Sequence, residues 1–111
     1  MTQELKIQEL KTLLSPDIPS DEELIALLTL TKGAILNRRY PFGWVYGEEV
    51  PQKYEYLQLI MCVQLYNKKG AEGQTSHGEN GITRTYEVGD IPESLLKQII
   101  PVAGSVYYEE S

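Results

Sequence analysis

At 111 residues the chain is long enough for one modest core without disulfide or metal staples, because a chain of this size buries roughly 65% of its unfolded surface. An apolar fraction of 41% argues against wholesale disorder. The net charge of −6 works against nonspecific binding to DNA, which depends on basic groups releasing counterions from phosphates.

No stretch approaches the roughly 18 apolar residues of a membrane span, so no membrane partner is expected. The opening MTQELKIQELK lacks the apolar centre of a secretory signal, so synthesis in a cytoplasm is expected. Ile7, Leu10, Leu13 and Leu14 stand at helical spacing, and Ser15-Pro16 stops the pattern, since a residue before proline is pushed out of helical geometry. Glu4, Lys6, Glu9 and Lys11 form the polar side, expected to be solvated.

A second helix opens at Ser20, which with Glu23 matches a capping box, and Asp21 and Glu22 suit the amino end of the helix dipole. Leu24, Leu27, Leu28, Thr31 and Ile35 form its apolar stripe. Arg38 and Arg39 close it as dipole partners, surface ion pairs or contacts to another subunit. Tyr40 to Val50, YPFGWVYGEEV, is a turn-rich connector holding four of the ten aromatics. Aromatics this dense either fold back on the core or anchor an interface.

The third helix starts at Pro51 and ends at Lys68-Lys69-Gly70. Tyr54, Leu57, Ile60, Met61, Cys62 and Leu65 make it broadly apolar, the expected central helix. Cys62, the lone cysteine, reads as a buried, inert thiol.

Gly70 to Glu87, GAEGQTSHGENGITRTYE, is long for a connection inside a small domain. Within it Ile82, Arg84 and Tyr86 alternate with Thr83, Thr85 and Glu87, a period that suits a β ribbon. A lone ribbon is marginal in water and needs a surface, its own core or a neighbouring copy. Asp90 to Glu93 then reads as a helix cap, with Leu95, Leu96, Ile99 and Ile100 on a fourth helix that Pro101 terminates.

The expected fold is therefore mainly α: a small bundle of about four helices. Residues 70–90 form a protruding loop or short β ribbon and 102–111 a tail, within a single domain spanning 1–111.

Chemistry is sparse. His77 is the only histidine, and with one cysteine no zinc or di-metal site is expected. No Gly-rich loop runs into a lysine-bearing helix start, so no phosphate cradle or cofactor is expected either. No helix carries the Arg/Lys/Asn/Gln cluster of a nucleic-acid reading face. The expectation is a non-enzyme without catalytic, cofactor or metal residues.

The segments PSDEELIALLTLTKGAILNRRYP and EGQTSHGENGITRTYEVGDIPESLLKQIIPVAG, flanking a long third helix, resemble the head–tail connector proteins of tailed bacteriophages. These are also called adaptor or head-completion proteins, some of them described as DNA-packaging proteins. The resemblance runs from about Glu4 to Val106 and is most specific between Glu72 and Pro101.

It implies a structural virion protein at the head–tail junction, made in the bacterial host cytoplasm. Its partners would be its own copies in a ring of about twelve, the portal protein, and a downstream connector or tail-completion protein. DNA would pass through the channel without being gripped. On that footing Ile82, Arg84 and Tyr86 are the expected subunit contact, with Trp44 and Tyr46 in support, and Glu72 and Glu79 the expected channel-facing carboxylates. The alternative is a DNA-binding accessory of packaging, which requires Arg38, Arg39, Lys68, Lys69 and Arg84 to converge on one face.

Overall fold

A computed structural model describes residues 1–45, 47–71 and 86–102. Helix α1, Gln3–Leu14, is capped by Thr2, whose hydroxyl accepts the Leu5 amide at 3.1 Å. It stops where Ser15 turns extended ahead of Pro16. Helix α2, Asp21–Arg39, begins as its cap predicts, with the Ser20 hydroxyl accepting the Glu23 amide at 3.1 Å. A 3₁₀ turn, Gln52–Tyr54, set by Pro51, leads into helix α3, Glu55–Ala71. A second 3₁₀ turn, Val88–Asp90, precedes the short helix α4, Glu93–Leu96. Among the described residues there is no strand. The expected ribbon lies outside them, apart from Tyr86 and Glu87.

The core sits where α1, α2 and α3 meet. Leu10, Leu24, Leu27, Ile35, Leu59, Met61 and Leu65 are essentially inaccessible to solvent. Each such side chain contributes about 1.5–3 kcal/mol of burial free energy. Arg39 lies beside Tyr54 at one end, while Thr31 meets Cys62 further along, so α2 and α3 run antiparallel.

Several local expectations are corrected. Asp90 does not cap α4; it completes a capping box around the preceding 3₁₀ turn, with Glu87 as the cap and Pro92 standing before α4. The expected helix through Ile100 is one α turn that relaxes into 3₁₀ bonds, Gln98 to Leu95 and Ile99 to Leu96. Pro101 is the physical reason, because it drives Ile100 out of helical geometry. Ile100 is left exposed, as is Leu13 of α1. Lys6 is not on the solvated side: it lies in line with Leu10 and Leu14 and is buried.

Candidate assembly surface

Residues 86–102 lie as a strap along the α2–α3 pair, fastened by polar groups at both ends. At the amino end of α2, Tyr86 packs on the core and its phenol hydrogen-bonds the Glu23 carboxylate. Asp90 reaches the carboxyl end of α3, with Lys69 at 3.1 Å and Lys68 at 3.7 Å. Arg38 donates both guanidinium nitrogens to Glu93, at 3.0 and 3.1 Å.

Beyond α4 the Tyr54 hydroxyl accepts the Ile100 amide at 2.9 Å, and Arg39 donates to the Ile100 carbonyl at 2.7 Å. The Val102 amide then donates to the Arg39 carbonyl at 2.7 Å. Between these fastenings Ile91, Leu96 and Ile99 are buried.

The charges respond to their partners. The Lys69 hydrogen bond holds the Asp90 carboxyl below the usual carboxylate range, and the Arg38 fork does the same for Glu93. Arg38 is in turn pushed up, chiefly by its hydrogen bonds to Glu93.

The α2–α3 connector is anchored at its start. Trp44 donates its indole N–H to Asn37 at 2.8 Å, and the Tyr40 hydroxyl lies 3.5 Å from the Glu48 carboxylate. The Arg39 guanidinium sits 6.0 Å from the Tyr40 ring centre and 5.8 Å from that of Tyr54. Gly43 and Gly47 have φ of 114° and 98°, backbone that a side chain would strain. Phe42 and Val45 are largely exposed, so the connector divides its apolar groups between core and surface.

Under α1 runs a buried polar network that the sequence reading missed. Lys6 donates to the Gln58 side-chain oxygen at 2.6 Å and stands 4.0 Å from Glu55. The Gln58 amide nitrogen donates to the Leu28 carbonyl at 3.0 Å and the Thr31 hydroxyl at 3.2 Å. Thr31 contacts the Cys62 sulfur at 3.5 Å. Burial pushes the Lys6 ammonium down and the Cys62 thiol up to about 12. A cavity of about 580 Å³ adjoins this network, lined in part by Lys6, Lys32, Glu49, Glu55 and Gln58.

Lys6 pairs with Glu55 and Lys32 with Glu49, and Cys62 offers no thiolate nucleophile at neutral pH. Among the described residues no His, Cys, Asp and Glu cluster has metal-binding geometry. Among them, too, no helix is long and apolar enough to cross a membrane.

Of the expected interface residues, Trp44 and Tyr86 are described, and each has a partner within its own chain. Tyr46, Ile82, Arg84, Glu72 and Glu79 lie outside the described residues. The basic set does not gather: Arg38 and Arg39 end α2, Lys68 and Lys69 end α3, and the antiparallel arrangement puts these pairs at opposite ends. A weak signal for Lys6 existed in the i, i+4 spacing of positions 6, 10 and 14.

Compared with known protein families, residues 5–102 match the family described as phage gp6-like head-tail connector protein. Comparison with curated proteins and with solved structures gave no match.

Proposed function

Because the chain belongs to the phage gp6-like head-tail connector family, a structural and not an enzymatic one, we propose that it forms a ring between portal and tail. In this reading copies associate head to tail in closed cyclic symmetry under the portal vertex and extend the DNA channel. One face meets the portal and the other the next connector or tail-completion protein. The carrying observation is a family match over almost the whole described chain.

The electrostatics support passage of DNA over gripping it. About twelve copies at −6 each carry about −72 formal charges, which burial between copies must offset. The strap and core acids take up Arg38, Lys68, Lys69 and Lys6, and the basic pairs that end α2 and α3 stand at opposite ends, which disfavours a single phosphate-gripping face. Ile82 and Arg84 belong to this reading as arm contacts to a neighbouring copy. Tyr86, held at Glu23, fixes the root of that arm.

Sedimentation velocity of the purified chain, alone at high concentration and with the portal protein, tests the proposal. A discrete multi-copy species is expected in at least the portal-bound sample. A chain that stays monomeric and leaves the portal unchanged overturns it. Replacing Ile82 and Arg84 together by Ser is expected to weaken assembly while the helical circular-dichroism signal is kept.

A further inference from the structure

The outer face of α3 is apolar where a solvated helix would be charged. Tyr56 is 66% exposed and Ile60 46%, one turn apart, followed at helical spacing by Gln64 and Asn67. The exposed residues from Gln52 to Lys68 include Lys53 and Lys68 and no carboxylate, in a chain whose net charge is −6.

The outer face of α2 is its complement. Glu22, Ile25, Thr29 and Gly33 follow one another at spacings of three and four. Ile25 is 38% exposed, and a side chain added at Gly33 would meet nothing within 4 Å. The charged groups exposed at this end are the acids Asp21, which pairs with Lys11 of its own chain at 3.0 Å, and Glu22.

These two faces point away from each other. Gln58 and Cys62 of α3 meet Thr31 of α2, so those positions mark the packed sides. Residues two apart on a helix lie about 200° apart around it. Tyr56 and Ile60, two before Gln58 and Cys62, therefore look out on the far side of α3. Gly33, two after Thr31, looks out on the far side of α2, and Thr29 is exposed at the rim of the cavity under α1. Two unlike, opposed faces are what head-to-tail cyclic assembly requires.

We infer that the outer face of α3 in one copy seats on the outer face of α2 in the next, an inference that rests on the ring reading above. Successive copies in a ring of about twelve differ by a rotation of about 30°, which keeps the pairing near the antiparallel sense found within the chain. We take the register that sets Tyr56 over Gly33, which brings Ile60 over Thr29 and Asn67 near Glu22. In this register the paired stretches, Tyr56 to Asn67 and Gly33 to Glu22, each run about 16 Å at 1.5 Å per residue. Lys68, already 3.7 Å from Asp90, falls beside the acidic first turn of the neighbour.

The test is a cysteine pair, Thr29→Cys with Ile60→Cys, in the full chain assembled on the portal and oxidised. A ladder of cross-linked copies beyond the dimer is expected on non-reducing gels, and each single variant is expected to stay monomeric, because native Cys62 is buried. As a second variant, Tyr56→Ser with Ile60→Ser alters only exposed groups; it is expected to keep the helical signal and weaken self-association at least tenfold. Normal assembly without a ladder overturns this interface and leaves the ring standing. Dimers from either single variant overturn it too, since they report a symmetric face-to-face contact. A wild-type chain that never self-associates, alone or on the portal, removes the ring and this interface together.

Discussion

Asp90 is the most informative single position in the strap, because two substitutions there separate two effects. Its carboxylate accepts the Glu87 amide at 3.3 Å, closing the capping box, and pairs with Lys69 at 3.1 Å. Losing that hydrogen bond, the Asp90 half of the box, costs about 1 kcal/mol. The ion pair is partly screened by solvent and is worth about 0.5–1 kcal/mol. Asp90→Ala removes both, about 1.5–2 kcal/mol; Asp90→Asn keeps a carbonyl for the Glu87 amide and loses only the ionic part.

For a chain of this length about 1 kcal/mol shifts Tm by about 4 °C. Thermal circular dichroism is therefore expected to show a fall of about 6–8 °C for Ala and about 2–4 °C for Asn. Adding salt should shrink the Asn effect and leave the gap between the two variants in place. Equal falls for both variants, or shifts under about 1 °C for each, would refute the assignment of Asp90 as both capping-box partner of Glu87 and ion-pair partner of Lys69.

Other consequences follow from the same geometry. Asp90 and Glu93 have depressed carboxyl pKa values, so their contribution is full above the unfolded values of about 4 and disappears as pH falls through the folded ones. Hydrogen exchange across 86–102 is expected to quicken relative to the α2–α3 core below about pH 4, and uniform behaviour of strap and core would contradict it. Gly33→Ala places a methyl in open space within a helix and should stabilise the chain by about 0.5–1 kcal/mol in chemical denaturation. Leu65→Ala, at a fully buried position, should cost about 2–5 kcal/mol by the same assay. Cys62 should resist alkylation at neutral pH until the chain unfolds; rapid labelling of folded protein would contradict its burial and its raised thiol pKa.

What was legible in the sequence follows from the range of the interactions. Ser20 and Glu23 sit within one turn, so their cap could be read directly, as could the Leu24 to Ile35 stripe of α2. Pro16 ended α1 for the same local reason. The Asp90 box was misplaced by a few residues because two acids, Glu87 and Asp90, precede Pro92 at spacings that suit either reading.

Long-range partners were not legible. Nothing near Lys6 in sequence announces Gln58, and nothing near Arg39 announces the Ile100 carbonyl. Arg38 and Lys69 looked like generic end-of-helix cations until the strap supplied their acids. The opposed outer faces of α2 and α3 emerge only when the packed sides are known, since Ile60 by sequence alone reads as one more core residue.

Electron cryo-microscopy of the portal vertex, in the phage that carries this chain, tests the connector role most directly. A closed ring of this protein between portal and tail is expected, with the α3 face of each copy against α2 of the next. A neck in which the portal meets the tail proteins with no density for this chain would contradict it.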